Sequence, residues 1–263
     1  MKALELFNQG DLDGAIANAL EFVRGAPTES GGRQILAELL CFRGELERAD
    51  KQLETVLLQA PQAAMPAALL RQLIRAETWR RDFWTKGRVP EMLGEPDDEL
   101  KNRLLAAISA REGKFAEACE LVAELEEHSK PVSGKKDDKP FESFHDLDEM
   151  CCGIWEVLTS TGKYYWIPAS RVVSMEFEAP SRPKDLMWRQ CQMTVDNGPD
   201  GVVYIPLVYP STTVEDGGNF LLGKSTEWRE EAGKPVTGIG QRLFAVDEED
   251  VAIMDLKRLE FNQ

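Results

Sequence analysis

Residues Gly218–Ser225 read GNFLLGKS and satisfy the spacing GxxxxGK[ST]. That spacing can cradle phosphate. Glycines let backbone N–H groups turn inward, the lysine meets the β- and γ-phosphates, and the hydroxyl holds Mg²⁺. Downstream, Val251–Asp255 (VAIMD) resembles the strand that ends on a metal-holding aspartate. The context argues against a nucleotide. Such a loop needs a buried strand before it and a long helix after it. Here TTVEDG precedes it, and TEWREEAGKP leaves room for only a short helix before Gly233 and Pro235. Phe220, Leu221 and Leu222 suit a core better than a phosphate wrap. The chain left beyond the motif is too short for a parallel α/β sheet.

Other chemistry is sparse. The two histidines, His128 and His145, belong to no HExxH motif or Cys/His ligand set, and the chain has no GxSxG. The cysteines are Cys41, Cys119, Cys151, Cys152 and Cys191, odd in number and without a CxxC pair, as expected of reduced thiols. The adjacent Cys151 and Cys152 could pair only through a strained ring. Acid runs at Asp97–Glu99 and Asp247–Asp250 single out no working pair. No catalytic residue, metal ligand or cofactor is expected.

The net charge is −15, split as −7 over residues 1–128 and −8 over the rest. Neither part is a basic arm, which argues against nucleic acid. The N-terminus, MKALELFNQGDLDGAI, lacks the apolar run of a signal peptide. No stretch is apolar enough to span a bilayer. A soluble, cytoplasmic protein is the expectation.

The elements that position these residues come in two kinds. In the first half, GDLDGAI (10–16), GELERAD (44–50) and GKFAEAC (113–119) share Gly, an apolar residue two later and Ala five later. Gly10 and Gly44 are 34 residues apart, and Pro27, Pro61, Pro96 and Pro131 follow at 34, 35 and 35. This is the tetratricopeptide (TPR) period of paired helices. Gly fits the turn between helices, and Pro ends the second helix. Residues 1–128 are therefore expected to form a TPR-like α-helical solenoid.

The third unit departs from the pattern. Its register puts Trp79 where the turn Gly belongs and Trp84 where the small Ala belongs. Arg71, Arg75, Arg80, Arg81, Lys86 and Arg88 stand against Glu77 and Asp82, a local excess of +4. One reading is a basic, aromatic surface for an acidic or amphipathic peptide. The other is a solvated face whose arginines pair with local acids while the tryptophans cap the stack. Arg71, Arg75, Trp79, Arg80 and Trp84 are the candidate partner-binding residues.

Residues 129–142 are polar and read as a mobile linker, with a short helix possible over 142–152. From 143 to 263 the pattern is short β runs, giving an α+β protein with a β-rich C-terminal domain. Ile154–Thr159 and Lys163–Ile167 form a hairpin around Ser160–Gly162. In the second run, Tyr164 and Trp166 share one face and Tyr165 takes the other. Tyr165 joins the candidate list as the aromatic a partner could reach.

GKYYWIP (162–168), Arg171, PSRPKDLMW (180–188), VYIPLVYP (203–210), LGKSTEW (222–228) and GIGQRLF (238–244) resemble the ImpE family, also called TagJ or SciE. The resemblance covers the β domain, and the family also has a TPR-like helical first half. It implies a non-enzymatic accessory role in bacterial type VI secretion. It further implies a partner, the N-terminal helix of the small sheath subunit (TssB), and an indirect link to the ClpV unfoldase in sheath assembly or recycling. The family offers no catalytic residues to carry over. A nucleotide-binding enzyme using the GNFLLGKS loop, or a purely structural oligomerisation module, are the alternatives.

Overall fold

The computed structural model describes residues 2–262. Helices fill the first half: α1 (Lys2–Asn8), α2 (Leu12–Gly25), α3 (Ser30–Phe42), α4 (Leu46–Gln59), α5 (Ala64–Lys86), α6 (Asp98–Arg111) and α7 (Phe115–His128). Short turns join α1 to α2, α3 to α4 and α6 to α7. Each turn holds one of the repeat glycines, Gly10, Gly44 and Gly113, at φ of 91°, 80° and 77°. A side chain would be strained there, which is why glycine recurs.

The third unit has no turn at Trp79. It is a single helix of 23 residues, α5, closed by Gly87 in the left-handed conformation. Pro66 lies in its first turn, where proline is tolerated, and no Gly or Pro follows until Gly87. Nothing in that stretch can break the helix.

The strands follow: β1 (Gly134–Lys136), β2 (Lys139–Phe141), β3 (Phe144–Asp146), β4 (Ile154–Leu158), β5 (Tyr164–Pro168), β6 (Val172–Phe177), β7 (Trp188–Val195) and β8 (Asp200–Pro206). After a one-turn helix, α8 (Gly218–Leu221), come β9 (Thr226–Arg229), β10 (Thr237–Gly240), β11 (Leu243–Val246), β12 (Glu249–Ala252) and β13 (Arg258–Phe261). Eight strands make one sheet, in the order β2-β1-β13-β6-β7-β8-β4-β5. Its pairings are antiparallel. β12, β11 and β3 form a second sheet, and β9 with β10 a third.

Two segments differ from expectation. The stretch read as a linker holds the β1–β2 hairpin, turned at Asp137 and Asp138 with φ of 49° and 67°. β1 also pairs with β13, so residues 134–141 belong to the large sheet. The stretch read as a short helix contains β3 and turns instead.

Both faces of the large sheet are covered at β4, while the row Arg258, Glu176, Gln192 and Val202 across β13, β6, β7 and β8 stays exposed. Along β4 every residue is buried, and alternate residues enter different cores. Ile154 and Leu158 join Tyr164, Trp166 and Trp188 in a core shared with the helices, including Leu73, Ile74 and Phe83 of α5. Trp155 and Val157 face the other core, with Ile167, Phe244 and Leu259. The two halves of the chain are thus joined by one hydrophobic core.

Candidate protein-interaction site

Helix α5 presents two working faces. Arg71, Arg75 and Trp79 recur every four residues and share one of them. They line a groove of about 680 Å³, with Glu47, Asp50 and Glu54 of α4 contributing the opposite wall. Arg71 is held in a bidentate pair by Asp50, with N···O distances of 2.6 and 2.8 Å. Arg75 is exposed and makes only a long 3.4 Å contact to Gln72. Trp79 is half-buried, donates its indole N–H to the Val89 carbonyl, and carries the Arg88 guanidinium 3.8 Å from its ring centroid. Gly162, in the β4–β5 turn, closes one edge of the groove.

Most of the local charge is spent within the protein. Arg81 pairs with Glu77, Lys86 with Asp82 and Arg71 with Asp50. Among the described residues, Arg75 and Arg88 make no ion pair. With Trp79, the groove thus offers another molecule three cations, Lys51, Arg75 and Arg88, together with two unpaired acids of α4, Glu47 and Glu54.

Arg80 and Trp84 occupy the other face of α5. Arg80 is 3% exposed and forks onto Glu156 of β4 at 2.9 and 2.8 Å. The Trp84 indole N–H also reaches Glu156, at 3.0 Å, and its ring packs near Phe83 and Trp166. Arg80 is buried in this joint, while Trp84 is half-buried and lines a second cavity with Thr85 and Met187. Tyr165 is half-buried, points toward the second core, and its backbone is bridged by Glu91. The six candidates therefore divide. Arg71, Arg75 and Trp79 share a groove, Arg80 and Trp84 tie the halves together, and Tyr165 stands apart on the far face of β5.

The tie is a buried charge network. Glu156 also accepts from the Tyr164 hydroxyl at 2.5 Å and from Arg242 at 3.4 Å. Arg242, fully buried, forks onto Asp146 at 2.9 and 2.6 Å. Burial alone would raise the Glu156 pKa. The charge and hydrogen bonds of Arg80, then the charge of Arg242, bring it down to about 2. Asp148 lies nearby and accepts from the backbone of Met150, Cys151 and Gly238. Burial, then the Asp146 carboxylate, pushes its carboxyl up to about 7. The sequence reading did not single out Glu156, Asp146, Asp148 or Arg242. Glu156 sits amid apolar residues in IWEVL, and an acid there was the one local sign of a buried partner.

The GNFLLGKS segment has no phosphate cradle. Gly218–Leu221 is the one-turn helix α8, and the residues after Ser225 form strand β9. The N–H groups of Gly223 and Lys224 are spent on the carbonyls of Phe220 and Asn219. The Lys224 ammonium donates to the Asn8 carbonyl at 2.9 Å, and Leu222 is buried. The motif is a joint between α1 and the β half.

The thiols are free. Burial pushes Cys152 up to about 11 and Cys191 to about 12, which makes them poor nucleophiles. Among the described residues no group of three or more His, Cys, Asp or Glu converges to hold a metal. Among the same residues, no helix is long and apolar enough to cross a membrane.

The site and fold define an α+β protein whose helical half is bolted to its sheet by α5. Residues 138–260 match the ImpE protein family. Over 262 residues the chain is 33% identical to the type VI secretion system accessory component TagJ of Pseudomonas aeruginosa, covering 99% of this chain and 91% of that one. A crystal structure of protein VPA1032 from Vibrio parahaemolyticus superposes with a TM-score of 0.92 at 25% identity. It covers 100% of this chain and 98% of that one. This chain belongs to the ImpE family, of which TagJ is a member.

Proposed function

We propose that this protein is a non-enzymatic accessory component of a type VI secretion system, acting in the cytoplasm as an adaptor that holds a helical segment of a sheath protein. The observation that carries this reading is the α4–α5 groove. It is open, Arg75 and Arg88 stand in it without acidic partners, and Trp79 lies between those two as an apolar anchor. An amphipathic helix recognised in this way would lay its apolar face along the groove and set an acidic residue against Arg75 and Arg88. The 34-residue spacing of glycines and prolines supports a TPR-like reading of the helical half, and such scaffolds offer extended binding surfaces.

The family resemblance supplies the partner: the N-terminal helix of the small sheath subunit, with the ClpV unfoldase reached indirectly. In this reading the β half acts as a rigid base that fixes α5. The test is co-purification. The tagged protein, expressed with its own secretion cluster, should retain the small sheath subunit. The Trp79→Ala and Arg75→Glu variants should lose it while remaining folded. Equal retention by both variants would remove the groove from the account.

A further inference from the structure

The α4–α5 groove is charged on both walls, and the walls differ. On α4, Glu47, Lys51 and Glu54 follow one another at the spacing of successive helix turns, so an acid, a base and an acid share one face. On the other wall, Arg75 lies one turn before Trp79 on α5, and the Arg88 guanidinium sits 3.8 Å from the centroid of that ring. These five charged residues are exposed, and none is in an ion pair among the described residues. Between the walls, Arg71 and Asp50 satisfy each other and cancel.

A uniformly acidic partner suits this groove poorly. Its carboxylates would be drawn to Arg75 and Arg88, but those on its other flank would face Glu47 and Glu54. Like charges set against each other reject a partner. The net charge of −15 also repels an acidic ligand at long range. A uniformly basic partner meets the reverse difficulty at Arg75 and Arg88. Trp79, half-buried, favours an apolar residue between the two flanks.

We propose that the groove takes an amphipathic helix whose charge is split by side, with acids on the flank toward α5 and bases two turns apart on the flank toward α4. The acids meet Arg75 and Arg88. The bases meet Glu47 and Glu54, and an acid between them can face Lys51. An apolar residue between the flanks lies on Trp79. A helix repeats its neighbours at three and four residues, so each of its flanks can match the spacing of one wall. Sidedness, rather than net charge, then decides which segments are accepted and how they are turned in the groove. This inference rests on the adaptor reading and narrows it from any amphipathic helix to one charge pattern.

The test is calorimetric titration of the full chain with a peptide of the N-terminal helix of the small sheath subunit, comparing the parent protein with a Glu47→Lys, Glu54→Lys double variant. Both positions are exposed, and circular dichroism checks the fold. A split-charge partner should bind the double variant roughly tenfold more weakly or worse. A partner read only through its acids should bind it more tightly, because two repelling carboxylates are gone, so the sign of the change decides. Should the lysines unsettle the fold, Glu47→Gln with Glu54→Gln should weaken binding in the same direction by a smaller factor. A peptide with its lysines and arginines changed to glutamine should bind the parent roughly tenfold more weakly. The inference is overturned, and the adaptor reading kept, if the double variant binds as tightly as the parent or tighter while Trp79→Ala and Arg75→Glu lose the peptide. A helical peptide that does not bind the parent overturns both.

Discussion

Arg80 of α5 and Glu156 of β4 lie 76 residues apart in the chain and meet in a two-pronged ion pair, almost wholly out of water. The pair joins the helical half to the sheet. It also places the two faces of one helix under different rules. The inner face is locked into the core, and the outer face lines the open α4–α5 groove.

Breaking this pair strands a charge in the interior. Arg80→Ala is expected to cost about 3–5 kcal/mol, because Glu156 loses its main partner without being re-exposed. Urea unfolding reads the change directly. Arg75→Ala, five residues earlier and on the exposed face of the helix, should shift stability by less than about 0.5 kcal/mol. Equal losses from the two variants would contradict the division of α5 into two faces.

The tryptophans should separate in the same way. Trp84→Ala removes a ring packed against Phe83 and Trp166 together with a donor to Glu156. A loss of about 3 kcal/mol is expected. Trp79→Ala should cost less, since its ring is half-buried in the groove and stacks on the exposed Arg88. Denaturation midpoints rank the two, and the reverse order would be inconsistent with the structure.

Stability should vary with pH on two limbs of opposite sign. The Glu156 carboxyl has a folded pKa of about 2 against an ordinary 4.5. Its contribution is present above 4.5 and is lost as pH falls toward 2. Asp148 is the reverse, about 7 when folded against an ordinary 3.8. Its contribution is complete below 3.8 and is lost as pH rises through about 7. Unfolding midpoints measured from pH 2 to 8 should show both limbs. Asp148→Asn should flatten the upper limb and leave the acid limb in place; an unchanged upper slope in that variant would count against the assignment.

The GKS segment should be silent toward nucleotides. Titration with ATP and Mg²⁺ is expected to give no saturable signal, because the N–H groups of Leu221, Leu222, Gly223 and Lys224 are already used within the protein and the Lys224 ammonium is held by the Asn8 carbonyl. Lys224→Ala should cost about 1 kcal/mol through loss of its bond to the Asn8 carbonyl. Lys224-dependent ATP binding would contradict the geometry.

The sequence made the local rules legible and hid the long-range ones. Gly10, Gly44 and Gly113 marked helix turns because a left-handed backbone selects glycine. The β4–β5 hairpin and the alternation of Tyr164, Tyr165 and Trp166 could be read because a strand exposes its period of two. Counting repeats across residues 62–96 showed that Trp79 and Trp84 break the pattern but not what replaces the helix pair. The absence of any breaker between Pro66 and Gly87 was the better signal. The run GKKDDKP looked like a linker because its charge outweighed its two-aspartate turn. Arg80 looked like part of a surface patch. Its partners, Glu156 and the neighbouring Arg242, are distant in sequence, and composition says nothing of which charges the fold will bring together.

The adaptor reading is tested most directly by calorimetric titration with a peptide of the N-terminal helix of the small sheath subunit from the same secretion cluster. The account predicts saturable binding with Kd at or below about 10 μM. Trp79→Ala and Arg75→Glu should each weaken it by roughly tenfold or more, in variants whose circular dichroism is unchanged. A peptide shown to be helical that does not bind, or that binds both variants as tightly as the parent protein, would contradict it.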